Sequence, residues 1–429
     1  MMRVGATLVL VLFFGSSAKS DVQTGGGPVG RPGSRHRQPL APPGPWRNPP
    51  KLGQLTSQVV RVRTEPELQQ ALSRLRSNTT IVIAPGIYEL SRTLQIGGGV
   101  KHVVLRGGTD DRNGVILKGR GMRRNDYGNV PHGIMVNDAT DVVIANLAVG
   151  DVWFHPITLQ GAAGCQRVRI FNVRLFDAGE QFLKGNPDGK GKGVDGCIVE
   201  YCVFEFTDTS RGHYTQGMSI HRAADWIVRN NLFRNIRGPA DDPKVGGCVD
   251  FWNGCRNTTV EGNVIVNCRM GIRFGIMNKS EKEHIYDHEG GIIRNNIIWR
   301  QPGAVFEPDG GIMVWDSPNS KVLNNTVILN GTYPPGGIEY RWGMGDVLVN
   351  NLTDAPIWQR EGARGRVANN VPTADPAIFV KEAAGDLHLA PKSQTVLPKV
   401  PALRDCPTDL DGRPRGDKTD VGAAAFSPR

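Results

Sequence analysis

Nine short segments of the chain share one pattern: an apolar-alternating run, an Asn or its stand-in, then another apolar residue. They read VVIAN, RIFN, VEYC, IVRNN, VEGN, IIRNN, VLNN, VLVNN and VANN. The marked positions are Asn146, Asn172, Cys202, Asn231, Asn263, Asn296, Asn325, Asn351 and Asn370, separated by 26, 30, 29, 32, 33, 29, 26 and 19 residues. A repeat of that length signals a solenoid, in which each unit buries its apolar face only against its neighbours. At a tight corner Asn tolerates the left-handed conformation. Stacked coil upon coil, its side-chain amides can bond along the axis.

Between successive Asn positions lies a second recurring strand, usually opened by Gly: HGIMVND, QGMSIHR, GGCVDFWNG, MGIRFG, GGIMVWD and GGIEYRW. Two strands per repeat, with room for a shorter third, fit one turn of a parallel β-helix. The leucine signature of leucine-rich repeats is absent, and propeller blades are longer. The spacing therefore predicts an all-β chain over residues 58–380. TEPELQQALSRLR predicts one amphipathic helix over 65–76, with Thr64 as N-cap, Pro66 in the first turn and Leu68, Ala71, Leu72 and Leu75 on one face. Such a helix suits the cap that a solenoid needs over its first open coil. Residues 381–429 read as an irregular tail packing on the last coils.

The first residues read as a targeting segment. Arg3 precedes an apolar stretch, 4–14, too short to span a bilayer, and small residues follow at Gly15, Ser16, Ser17 and Ala18. Residues 1–20 are thus expected to be a signal peptide, and the protein to be secreted or periplasmic, with no membrane insertion. Residues 21–57, rich in Pro and Gly, are expected to form a disordered linker. Residues 1–57 hold seven Lys or Arg against one acid, Asp21, which accounts for six of the ten formal positive charges. The body is only mildly basic and its charges are interleaved, which argues against nucleic acid as a partner. The seven cysteines match no zinc or thioredoxin spacing. They are expected to be small buried residues, with one local disulfide as the alternative.

The stacked corners (VRNNLF, RNNIIW, LNNTVI), the Gly-opened strands and the segment APGIYEL resemble the right-handed parallel β-helix, pectate-lyase-like superfamily over residues 58–380. The ending DLDGRPRGDKTDVGAAAF resembles the tail that follows secreted bacterial β-helix domains. The resemblance implies a right-handed parallel β-helix solenoid acting on carbohydrate. It carries no residue-level motif of one lyase or hydrolase family. Calcium-assisted lyases occur in that superfamily, so it also brings Ca²⁺ into consideration.

Strand alternation sorts the Gly-opened strands. Met218, Ile220, Val249, Ile272, Phe274, Ile312, Val314, Ile338 and Tyr340 should point inward. Ser219, His221, Cys248, Asp250, Arg273, Met313, Trp315, Glu339 and Arg341 should share one outward face. Insertions at 207–215, 237–246, 277–290 and 299–310 flank that face and are expected to wall a groove. A sugar polymer along it would meet one rung about every 4.8 Å. Trp315, Trp252 and Trp342 are candidates to stack on sugar rings, with packing under loops as the competing reading.

The favoured chemistry is β-elimination at a uronic acid, which needs a base for the C5 proton and cations for the carboxylate. His221 is the base candidate, and Arg273 and Arg341 are the neutralisers. Arg222 and Lys184 assist, and Trp315, Glu339 and Asp316 line the substrate. A salt bridge from Arg273 to Asp250 is the competing reading for that pair. An inverting glycoside hydrolase is the alternative. Asp250 and Glu339 would lie about 14 Å apart, too far, whereas Asp250 and Asp316 at roughly 10 Å stand at the edge of the inverting range. A uronate epimerase, or a non-catalytic carbohydrate-binding or adhesive β-helix, remains open. Asp241 and Asp242, near Asp250 in sequence, offer oxygen ligands suited to Ca²⁺, against the reading of a solvated acidic turn. His284, Asp287 and His288 are a weaker candidate for a transition metal. The chain is expected to be a monomer whose partner is a polysaccharide.

Overall fold

The computed structural model describes residues 42–53, 56, 58–239, 245–283, 285–303 and 308–428. The expected signal peptide and most of the expected linker lie outside the described residues. Among those described, no helix is long and apolar enough to cross a membrane.

Each full coil holds three strands. In one coil they are Gln216–His221, Ile227–Arg229 and Leu232–Arg234; in the next, Gly247–Trp252, Thr259–Glu261 and Val264–Val266. Successive coils pair in parallel, with Met218 opposite Val249, Ile227 opposite Thr259 and Leu232 opposite Val264. The Gly-opened strands lie in a ten-stranded sheet from Leu94–Ile96 to Ile357–Arg360, and most of the other strands join a twenty-stranded sheet. This is the right-handed parallel β-helix that the repeat requires.

The corner asparagines divide their work in a way that spacing alone does not reveal. Asn146 and Asn172 take the left-handed conformation themselves, at φ 54° and 51°. From the next coil on, the preceding residue takes it: Tyr201, Asn230, Gly262, Asn295, Asn324, Asn350 and Asn369, at φ 57°, 56°, 64°, 53°, 50°, 61° and 56°. That leaves the second Asn of each pair free to turn its amide inward. Asn231 Nδ2 donates to Asn263 Oδ1 at 2.9 Å, Asn263 to Asn296 at 2.9 Å, Asn296 to Asn325 at 3.0 Å, Asn325 to Asn351 at 3.0 Å and Asn351 to Asn370 at 2.9 Å. Each accepting Oδ1 also takes the backbone N–H of the preceding ladder residue. The second amide hydrogen of each donor goes to a main-chain carbonyl, as from Asn296 to Val260 O at 2.9 Å. Every donor and acceptor of these buried amides is used, which is the condition for burying them without loss. Cys202 joins only through its backbone N–H, 2.8 Å from Asn231 Oδ1.

Inside the coils, Met218, Val249, Ile272, Ile312 and Ile338 form one apolar column, and Ile220, Phe251, Phe274, Val314 and Tyr340 form another. Each such side chain contributes about 1.5–3 kcal/mol by leaving water. The seven cysteines are free and buried, in keeping with their reading as small core residues. The helix runs Glu65–Ser73, shorter than expected, and Thr64 Oγ1 accepts from Glu67 N at 3.3 Å. Leu68 and Leu72 reach the core, whereas Ala71 and Leu75 are only partly buried.

The tail lies over the outer face of the third strands, bonded to Asn324, Thr326 and Asn350 of the last coils. Ile378, Phe379, Leu387, Leu389 and Val421 share a second apolar layer with Leu232, Val264, Ile297, Trp299, Ile328 and Leu352, the outward residues of the third strands. Those strands read VIV, IIW and TVI. Such near-continuous apolar runs belong to strands covered on both faces. Asn295 Nδ2 donates to Thr408 O at 2.7 Å, and Arg415 Nη2 donates to Asn295 Oδ1 at 2.9 Å, which ties the tail to the flank. The linker expectation fails for its last part. Trp46, in the 3-10 turn Pro45–Arg47, packs on the same layer, and Arg112 Nη2 donates to Trp46 O at 2.8 Å.

Replacing Asn296 by Ala orphans one Nδ2 hydrogen and the backbone N–H of Asn263, each costing about 1–3 kcal/mol. Thermal unfolding should show a fall in Tm, whereas Asn230→Gly, which keeps the left-handed corner and removes no ladder amide, should be far milder. Equal effects from the two substitutions would refute the division of labour.

Candidate functional site on the ten-stranded sheet

The parallel register sets Lys184, Ser219, Asp250, Arg273, Met313, Glu339 and Trp358 in one outward column, each opposite the next. Beside it His221 lies opposite Trp252, and Trp315 lies opposite Arg341, itself opposite Arg360. The inward set expected from alternation is the set found in the core. Cys248 is the exception: expected outward, it is buried in the core, at the corner where its strand begins and strict alternation has not started.

The two arginines assigned to a substrate carboxylate are already paired. Arg273 holds Asp250 with two bonds, Nε to Oδ1 at 2.7 Å and Nη2 to Oδ2 at 2.6 Å. Asp250 also accepts Gln216 Nε2 at 2.7 Å and Gly247 N at 2.9 Å, and Gln181 Nε2 reaches Gln216 Oε1 at 2.8 Å. Asp250 is wholly buried and Arg273 almost so. The salt-bridge reading therefore holds for this pair, and its chain of bonds links consecutive coils. Arg341 is answered by Glu361, Nη2 to Oε1 at 2.6 Å, and lies over Trp342 with 3.7 Å to the ring centroid.

The carboxylates are equally committed. Asp316, assigned to substrate, is buried and accepts the backbone N–H of Lys279 at 2.8 Å, Ser280 at 2.9 Å and Asp287 at 3.1 Å. It anchors the 277–290 insertion instead of facing a groove, so the Asp250–Asp316 pair offered for hydrolysis does not form. Glu339 lies three rungs from Asp250, bonded to Trp315 Nε1 and 3.5 Å from Arg360 Nη1. Burial pushes its carboxyl above the ordinary range, against the pull of Arg360. Trp315 is thus held edgewise by Glu339 and by Trp342, 6.1 Å away.

The transition-metal candidate also resolves into structure. His288 is fully buried, stacked on Phe274 at 4.0 Å, and bonded to Ser317 Oγ at 2.8 Å and Thr258 Oγ1 at 3.1 Å. Burial drops its pKa to about 3. Asp287 spends its oxygens on Asn253 N at 2.5 Å and Ile276 N at 2.7 Å. Asp241, Asp242 and His284 lie outside the described residues. Among the described residues no group of three or more His, Cys, Asp or Glu is placed to hold a metal ion.

One end of the column is different. Lys184 Nζ stands 2.9 Å from His221 Nε2 and 3.2 Å from Ser219 Oγ, and among the described residues no carboxylate pairs with it. Burial lowers its pKa to about 8, with Glu180 and Asp250 pulling the other way. His221 is pushed down to about 3, first by burial and then by the charges of Lys184, Lys279 and Arg222. Its ring therefore stays neutral and is a weak base. Trp252 leans on it at 4.3 Å and donates Nε1 to Ser219 Oγ at 3.3 Å, so this Trp walls the site instead of offering an open stacking face.

Sequence reasoning missed the neighbours of this centre. His132 and His155 stack at 5.1 Å, and Glu180 Oε1 lies 3.0 Å from His213 Nδ1 and 3.3 Å from Arg211 Nη2. Arg211 covers Trp153, 3.7 Å from its centroid. Burial lowers the pKa of His132 to about 4 and that of His155 well below the usual value. The signal was present: His132, His155 and Glu180 each stand one or two residues before a strand of this sheet.

No protein-family model and no curated protein matches the chain. Among solved structures it is similar to pectate lyase Pel9A, at 12% identity and a TM-score of 0.48, over 86% of this chain and 96% of that one. It is similar to an alginate lyase from Paenibacillus sp. str. FPU-7, at 13% identity and a TM-score of 0.39, over 73% and 99% of the two chains. It is also similar to PfbA, a surface adhesin of Streptococcus pneumoniae, at 12% identity and a TM-score of 0.44, over 72% and 88%. Similarity at this level goes no further than the fold, which the strand ladders already give.

Because Arg273 is buried and bonded to both carboxylate oxygens of Asp250, Asp250→Asn should cost about 3–5 kcal/mol in chemical denaturation. Asp250→Leu combined with Arg273→Met should recover most of that loss. A small effect of Asp250→Asn would mean that the pair is solvated and available to substrate.

Proposed function

We propose that the protein is an exported, monomeric carbohydrate-active β-helix that cleaves a uronate-containing polysaccharide by β-elimination, with Lys184 as the base. The observation that carries this reading is the Lys184–His221 contact of 2.9 Å in a half-buried, cation-rich setting. A lysine whose pKa falls to about 8 has a substantial neutral fraction at mildly alkaline pH. Lys184 replaces His221 in the base role, and His221 positions the amine.

The reaction balances on Lys184 alone. Its neutral Nζ takes the C5 proton, the C4–O bond breaks as the C4–C5 double bond forms, and the lysine returns the proton to the departing oxygen. Charge that develops on the uronate carboxylate meets Arg222, close enough to depress His221, whereas Lys279 is held by both carboxylate oxygens of Glu283 at 2.7 Å. Arg273 and Arg341 shape the groove through their own ion pairs and do not supply that charge. Hydrolysis is less well supported, because the two carboxylates of its proposed pair, Asp250 and Asp316, are a buried clamp and a loop anchor. Export rests on the leader-like residues 4–14.

The test incubates the full chain with polygalacturonate, alginate and glucuronate-containing polymers and follows ultraviolet absorbance of the unsaturated product. Lys184→Ala should lower the rate by about 10²–10⁴-fold. The neutral amine is the active form, so kcat/KM should rise with pH and level off above about 8. A profile that falls across that range, or reducing ends released without the absorbance, would sink the reading.

A further inference from the structure

On the twenty-stranded sheet, a cleft of about 720 Å³ opens between the Trp46 segment, the 110–113 turn and the outer face of the coils at Asn172, Glu205 and Arg234. Its size is that of a small-molecule site. Four buried polar atoms of its lining have no hydrogen-bond partner among the described residues: Trp46 Nε1, Arg112 Nη1, Arg234 Nε and Asn172 Oδ1. Native proteins leave few such atoms orphaned, because each forfeits its hydration. Here four belong to residues that line one cleft. Asn172 is only 1% exposed. Its Nδ2 is satisfied by Asn146 Oδ1 and Asp110 O, both at 2.8 Å. Its Oδ1 is orphaned because the amide ladder is interrupted at Cys202, whose thiol donates to Glu200 O instead.

The lining dictates the ligand. Three of the four atoms are donors, two of them on guanidinium groups, and one is an acceptor. Glu205 is already shared by Arg174, at 2.6 Å, and Arg234, so that trio keeps one net positive charge. Arg112 is half-buried, and among the described residues no carboxylate pairs with it. An occupant must bring anionic oxygens to the arginines and a hydroxyl that donates to Asn172 Oδ1, beside an indole. We infer that this cleft is a second carbohydrate site, one that holds a single uronate unit through its carboxylate and a neighbouring hydroxyl. The inference does not rest on the lyase reading, since none of its residues lies in the Lys184 centre.

Calorimetric titration of the full chain carrying Lys184→Ala separates the two sites. D-glucuronate and D-galacturonate are the probes, with glucose and inorganic sulfate as contrasts. Saturable uronate binding should survive Lys184→Ala, weaken at least tenfold in Arg112→Gln and weaken several-fold in Trp46→Phe, which keeps an aromatic ring but removes the N–H together with the five-membered part of the indole. Glucose should not compete. Uronate binding that vanishes with Lys184→Ala, or that is unmoved by Trp46→Phe, overturns the inference. Sulfate binding as tightly as uronate also overturns it, by reducing the cleft to a plain anion site. Thermal unfolding of each variant shows whether a loss of binding is a loss of fold.

Discussion

The whole structure depends on coil-to-coil registry, and the buried amide ladder is where that registry is least negotiable. An amide in the core is tolerable only with all its hydrogen bonds made. From Asn231 to Asn370 each amide finds its partner only when the next coil sits in the same phase. A slip of one residue would bury unpaired amides and turn every apolar column outward. The hydrophobic columns supply most of the stabilisation, but they tolerate exchange among Ile, Val, Met and Phe. The ladder does not, and so it sets the phase in which those columns stack.

Registry also decides where charge can stand. On an outward column, neighbours one rung apart are close enough to neutralise each other, and Asp250 with Arg273 do so under cover. The lower end follows the same rule through Glu339 with Arg360 and Arg341 with Glu361. Lys184 breaks it, since its rung neighbour is Ser219 and not a carboxylate. An unanswered buried amine has a depressed pKa, and the β-helix thereby concentrates reactivity at one rung of an otherwise self-compensated face. The flank cleft follows similar logic: where the ladder is interrupted at Cys202, unpaired polar atoms gather.

Much of the fold was legible in the chain because its signals are local and repeated. The Asn spacing marked the corners, and period-two alternation separated Ile272 and Phe274 from Arg273 correctly. The site was legible only as a strip. Which cation on that strip is free depends on partners far away in sequence. Glu361 silences Arg341 from the following coil, and Asp316 is claimed by the backbone of an insertion that begins nearly forty residues earlier. Lys184 looked secondary because its neighbours in sequence say nothing about its burial.

The sequence by itself determined that coils stack, which residues face inward and where the chain turns, because each of those is a property of one short segment repeated many times. Tertiary structure alone decided which charges cancel, which carboxylates are spent on loops, that the tail and the Trp46 segment cover the third strands, and how far burial shifts Lys184. These depend on the distance between groups and on how much water remains around them. Neither quantity exists until distant coils are brought together.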